Sequence, residues 1–125
     1  MLIEALEATP RDLARTLRPV TPEQAAIRPA PDAWSVADVA AHMGEMEERF
    51  LGRLRQIVAE ENPTVAYLHP DEARHDLASP LDELLRAFTE RREATVAFLQ
   101  GLDQRAWNRP LVHPSGGPTT FREQV

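Results

Sequence analysis

Apolar residues recur at helical steps in two stretches of the chain. Val36, Val39, Met43, Met46, Phe50, Leu54 and Ile57 follow one another at intervals of three and four, the spacing that gathers side chains onto one stripe of a helix. A long amphipathic helix over roughly residues 36–60 is predicted. Ser35-Val36-Ala37-Asp38 opens it with a hydroxyl before the first turn and an acid three residues later, the pattern of a capping box. Leu81, Leu84, Leu85, Phe88, Thr95 and Leu99 make a second stripe, expected to run from about 80 to 100 between Ser79-Pro80 and Gly101. The core these stripes predict is Val39, Met43, Met46, Phe50, Leu84, Leu85, Phe88 and Leu99.

Between and around the two stripes, proline sets the divisions. Thr9-Pro10-Arg11-Asp12 carries a helix-start signal followed by Leu13 and Leu17, so a short helix from Pro10 to Leu17 is expected, preceded by a turn over 2–7. Thr21-Pro22-Glu23-Gln24 repeats the signal in a connector that Pro29, Pro31 and Asp32 extend to Trp34. Residues 62–79 contain Pro63 and Pro70 without apolar period and predict a long loop crossing between helices. Asp103 is expected to cap a short turn through Trp107. Residues 109–119 predict a hairpin-like excursion that turns at Ser115-Gly116-Gly117-Pro118. Thr120-Phe121-Arg122-Glu123 is another start signal, two residues before Val125, and from it the chain is expected to be a C-terminally truncated version of a longer domain.

The 125 residues suit one domain, 1–125. An apolar share of 42% with 27% charged residues and a mean hydropathy of −0.41 describe a soluble globular chain. No apolar run approaches the length of about 18 residues that a membrane span needs, and the acidic start is unlike a signal peptide, so a cytoplasmic location is expected. The absence of cysteine excludes disulfides, thiolate metal sites and a cysteine nucleophile. A net charge of −6, with 14 scattered arginines as the basic residues, argues against nucleic acid as a partner. Ser35, Ser79 and Ser115 lack a Gly-x-Ser-x-Gly context, and no glycine-rich loop precedes a helix.

Metal chemistry is left to His, Asp and Glu. His42 falls at the edge of its helix's apolar stripe, with Asp38 and Glu45 at i−4 and i+3, where the two acids can orient the imidazole from outside or form a solvated charge stripe with Arg49. The imidazole can face a cleft as a ligand, or close the core boundary by bonding to a backbone group or an acid. Glu47 and Arg92 each intrude on an apolar stripe and are expected to pair across the two helices; the alternative is that Arg92 snorkels to solvent. His69 and His75 belong to the long loop and His113 to the excursion, where a structural hydrogen bond is expected. Trp34 and Trp107 lie at helix boundaries and predict packing roles.

The run from Pro31 through Trp34-Ser35 to His42-Met43-Gly44-Glu45-Met46-Glu47 resembles the Trp-Ser, then helix, then His-Leu-x-x-x-Glu block of the DinB/YfiT-like family. Phe88 to Arg92 with Phe98-Leu99 and Gly101-Leu102, and His113-Pro114 with Gly117-Pro118, resemble its later blocks in order. The resemblance implies an all-α, up-down-down-up four-helix bundle whose crossover is the long loop, with the last helix largely missing from this chain. It also implies a divalent metal, nickel or zinc, held by three histidines. His42 matches the ligand of the second helix, and two further histidines are expected on a fourth helix absent from this chain. Enzymes of the family act on small molecules with a low-molecular-weight thiol, as S-transferases or a mycothiol-dependent isomerase. With one ligand in place, the 125-residue chain is expected to hold no tight catalytic metal. A homodimer covering the apolar groove left by the missing helix is expected. The alternative function is a metal-free bundle serving as a binding or assembly module.

Overall fold

Sixteen consecutive residues, Leu2–Leu17, form helix α1 in the computed structural model, which describes residues 2–66 and 79–125. The Thr9-Pro10 signal therefore lies inside a helix instead of opening one. Thr9 Oγ1 donates back to Ala5 O at 3.0 Å. Pro10 has no N–H to give to Leu6 O, the bond a helix interior would require. That donor comes from elsewhere: Arg92 Nη1 reaches Leu6 O at 3.1 Å. A long-range bond thus satisfies the carbonyl that local sequence leaves orphaned, and α1 continues through its proline.

The other boundaries follow local chemistry more closely. The short helix α2, Pro22–Ala25, has a full capping box between Thr21 and Gln24. Helix α3, Val36–Ala59, is opened by the predicted box, with Asp38 N–H donating to Ser35 Oγ at 3.0 Å and Ser35 N–H to Asp38 Oδ2 at 2.9 Å. Its far end is closed by Arg109, which donates to Ile57 O and Glu60 O at 3.0 and 2.8 Å and so satisfies carbonyls that a helix end leaves free. Helix α4, Leu81–Gln100, has Pro80 rather than Ser79 at its N-cap, without a side-chain bond, and Gly101 at its C-cap. Asp103 caps α5, Gln104–Trp107, through Ala106 N–H at 2.9 Å.

Strands β1, Pro110–Val112, and β2, Pro118–Thr120, pair antiparallel as the predicted hairpin, with Pro110 opposite Thr120 and Val112 opposite Pro118. The start of the crossing segment joins this hairpin: Thr64 bridges to Val112, and Val65 N–H donates to Val112 O at 3.1 Å. Residues 67–78 of that segment, including Pro70, lie outside the described residues. Helix α6, Phe121–Gln124, follows β2 directly.

Helices α3 and α4 run parallel, since Gly44 faces Phe88 and Arg91 while Glu47 faces Arg92 one turn further along both. Helix α1 runs against them, with Leu6 beside Arg92 and Leu17 near Leu81 and Leu85. This is the up-down-down order of the expected all-α bundle. No helix among the described residues is long and apolar enough to cross a membrane.

The packed face of α3 differs from the predicted stripe. Ala40, Ala41, Gly44, Glu47, Leu51, Leu54 and Ile57 are buried, whereas Val39 is 44% exposed. Met43, Met46, Phe50 and Leu85 are partly buried, and Leu84, Phe88 and Leu99 fully so. Small residues let α4 approach closely, and Arg92 makes burial of Glu47 tolerable. A count of apolar positions sees neither effect, so it rotates the stripe toward Val39.

Candidate functional site

Helix α3 carries chemistry-bearing side chains on two different sides. One side is internal. Arg92 Nε donates to Glu47 Oε1 at 2.8 Å and Arg92 Nη2 to Glu47 Oε2 at 3.1 Å, a bidentate pair whose strength and direction come from its planar geometry. Glu47 is 7% exposed, and the guanidinium lies 5.2 Å from the centre of the Phe88 ring. With its third bond to Leu6 O, Arg92 ties three helices together. The predicted pairing is present, and its role is to hold the bundle.

The second side begins at His42, about 140° around the helix from Glu47 at 100° per residue. Asp38, His42, Glu45 and Arg49 share it. Asp38 is buried to 1% exposure and serves the helix start, accepting from Ser35 and lying 3.2 Å from Arg28 Nη2. His42 is partly buried, its ring edge-on to Trp34 with centroids 4.9 Å apart. Trp34 is 42% exposed, so this tryptophan covers the imidazole rather than plugging the bundle end. Glu45 lies one turn on, and its Oε2 is buried with no hydrogen-bond partner among the described residues. The sequence places Glu45 at i+3 from His42 on a par with Asp38, and nothing local sets it apart, because the burial of that oxygen depends on packing.

Further along the same helix, Arg53 donates to Gln124 Oε1 at 3.3 Å and to Ala66 O. Desolvation by burial lowers its guanidinium pKa from the ordinary value. Between α1 and α3, Leu13, Leu17, Trp34, Val36, Val39 and Met43 line a groove of about 260 Å³.

The remaining histidines do not join His42 here. His113 Nδ1 lies 2.8 Å from Ser115 Oγ and accepts from Ser115 N–H at 3.2 Å, the structural bond expected in the hairpin turn. His69 and His75 lie outside the described residues. Trp107 packs edge-on against Phe121, with ring centroids 5.4 Å apart, as its boundary position predicts. Among the described residues no group of three His, Asp or Glu side chains is placed to hold a metal ion. The α3 face therefore presents one imidazole and, besides Asp38, which is engaged at the helix start, one carboxylate, fewer than the three protein ligands a catalytic zinc-type site takes.

The family model of the DinB superfamily matches residues 5–125. No protein of curated function matches the chain in sequence. Among solved structures, the fold is similar to that of YfiT from Bacillus subtilis, described as a probable metal-dependent hydrolase with an unusual four-helix bundle topology. The TM-score is 0.80 at 20% identity, over 95% of this chain and 70% of that one. It is also similar to a variant of a mycothiol-dependent maleylpyruvate isomerase, with a TM-score of 0.67 at 15% identity, over 97% of this chain and 53% of the isomerase.

Proposed function

The chain belongs to the DinB superfamily, and on that footing we propose that it is the greater part of a divalent-metal-dependent enzyme acting on a small molecule, with His42 as a ligand from α3. The observation that carries this is the placement of His42, turned away from the Glu47–Arg92 contact and covered on one side by Trp34. The ligands needed besides His42 come, in this proposal, from a helix that follows α6 and carries His-x-x-x-His. Nickel or zinc suits imidazole donors. The fold shared with a protein described as a probable metal-dependent hydrolase supports the metal, and the fold shared with a mycothiol-dependent isomerase supports a low-molecular-weight thiol as co-reactant. A cytoplasmic location, where such thiols are kept reduced, belongs to the same proposal.

When bound, such a metal would activate a thiol or water as nucleophile. The residues of this chain position the ligand. The Ser35–Asp38 cap sets the first turn of α3, Trp34 restricts the imidazole from one side, and the Glu47–Arg92 pair prevents α3 from turning against α4. Pairing of two copies of the 125-residue chain, in which the helix after α6 is lacking, is part of the proposal, supported by the exposure of Trp34 and Val39 on the α1–α3 groove. Sedimentation checks it, and a stable monomer at micromolar concentration would remove it.

Calorimetric titration of nickel and zinc tests the main claim, using the chain extended past Val125 by a helix with His-x-x-x-His. One-to-one binding that His42→Ala abolishes is expected. An extended chain indifferent to loss of His42 would return the bundle to the class of metal-free binding modules.

A further inference from the structure

The side of α3 that carries His42 also carries a carboxylate with no evident structural duty. Glu45 follows His42 by three residues, which on a helix puts the two Cβ atoms about 5–6 Å apart on adjoining turns. Metal–ligand bonds of about 2 Å to each side chain span that separation comfortably. A Glu-x-x-His pair on one helix is an established way to present two donors to one ion in helical bundles, and here the order is reversed, His42 preceding Glu45 at the same one-turn separation.

The condition of the carboxylate separates Glu45 from its neighbours. Glu47 is bound at both oxygens by Arg92, Asp38 is bound by the helix cap and Arg28, and Glu48 is 70% exposed beside Arg91. Glu45 Oε2 alone among these is buried without a hydrogen-bond partner in the described residues. A buried acceptor left in that condition is unfavourable for folding, and an ordered water or a bound ion is what relieves it. An oxygen donor of this kind is what a divalent cation takes.

We propose that His42 and Glu45 together form a two-donor clip for a divalent cation on α3, so that the described chain holds one ion loosely and a third ligand tightens it. This rests on the proposal that His42 is a metal ligand and adds a carboxylate to the three histidines implied by the family resemblance. Completion of the shell by water leaves positions open for a further ligand or a substrate.

The test uses the 125-residue protein and nickel alone, with affinity read by competition against a chromogenic chelator and stability by thermal melting without metal. The parent binds one equivalent, His42→Ala loses that binding, and Glu45→Gln weakens it at least tenfold. Glu48→Gln binds as the parent does. Glu45→His keeps a donor at the position and binds within threefold of the parent or more tightly. The melting temperature of metal-free Glu45→Gln is equal to or above that of the parent, because the charge shared by one buried, unpartnered oxygen has been removed. Parent-like binding by Glu45→Gln would overturn the clip while leaving His42 as a ligand. Weaker binding together with a lower metal-free melting temperature would also overturn it, because a structural role explains both. If the parent binds no nickel the clip fails, and the extended chain still judges His42 separately.

Discussion

The two ends of the bundle are packed in different ways. At the lower end Leu54, Ile57, Val65, Leu99, Leu111 and Phe121 are each at most 1% exposed and come from α3, the crossing segment, α4, β1 and α6. At the upper end the buried cluster is Ala25, Ala40, Ala41, Leu81 and Leu84, so three of its five members are alanine. The Glu47–Arg92 layer lies between them. Apolar side chains from five segments bind the lower end together. The upper end relies on close helix approach and on caps, and there Trp34 and His42 meet near the surface. Sites that admit ligands are drawn from the less tightly packed parts of a protein, and the candidate face follows that rule.

The strongest test of this division is the layer itself. Arg92→Ala leaves Glu47 buried without its partner and Leu6 O without its donor, and should cost about 3–5 kcal/mol in urea unfolding. Replacing both Glu47 and Arg92 by leucine should recover most of that. In a Pro10→Ala background the Arg92→Ala loss should shrink by about 1 kcal/mol, because residue 10 then supplies the bond to Leu6 O itself. An equal loss in both backgrounds would refute the account of how α1 tolerates Pro10.

Next in size is the contrast between the ends. Leu54→Ala should cost about 2–5 kcal/mol through the cavity it opens, whereas Ala40→Gly should cost about 1 kcal/mol, mainly in helix propensity. Similar losses measured by chemical denaturation would mean that the two clusters are not distinct. Smaller again is Ser35→Ala, expected to cost about 1 kcal/mol as a lost cap and to speed amide exchange selectively in the first turn of α3. Uniform exchange along α3 would show that the cap acts on the whole bundle.

The smallest expected effect is that of Gly44→Ala. A Cβ at position 44 would lie 2.8 Å from Arg91 Nη1, the movable tip of a side chain paired with exposed Glu48. The helix propensity gained and the surface pair disturbed nearly cancel, leaving stability within about 0.5 kcal/mol of the parent. A loss of several kcal/mol would show that Arg91 is held more firmly than its exposure suggests.

Much of this was legible locally. The capping residues Ser35, Thr21 and Asp103, the hairpin turn and the extents of α3 and α4 are matters of a few neighbouring residues, and the structure follows them to within a residue or two. The Glu47–Arg92 pair was legible as well, because a charge on an apolar stripe demands a partner and each helix offered one. His42 could be selected by its place at the stripe edge. Glu45 could be named beside it at i+3 but not told apart from Asp38, since the burial of its Oε2 is a property of the whole fold.

The residues alone determined the extents of α3 and α4, the caps and the hairpin turn, because caps and periodicity act over distances of three or four residues. Tertiary structure decided which side of each helix faces inward. It carried α1 through Pro10 by lending a guanidinium from α4, turned Val39 outward in favour of alanines that permit close approach, and left one oxygen of Glu45 dry beside His42. The first of those outcomes depends on a partner 86 residues away and the others on how α3 packs against its neighbours, which no local pattern along the chain encodes.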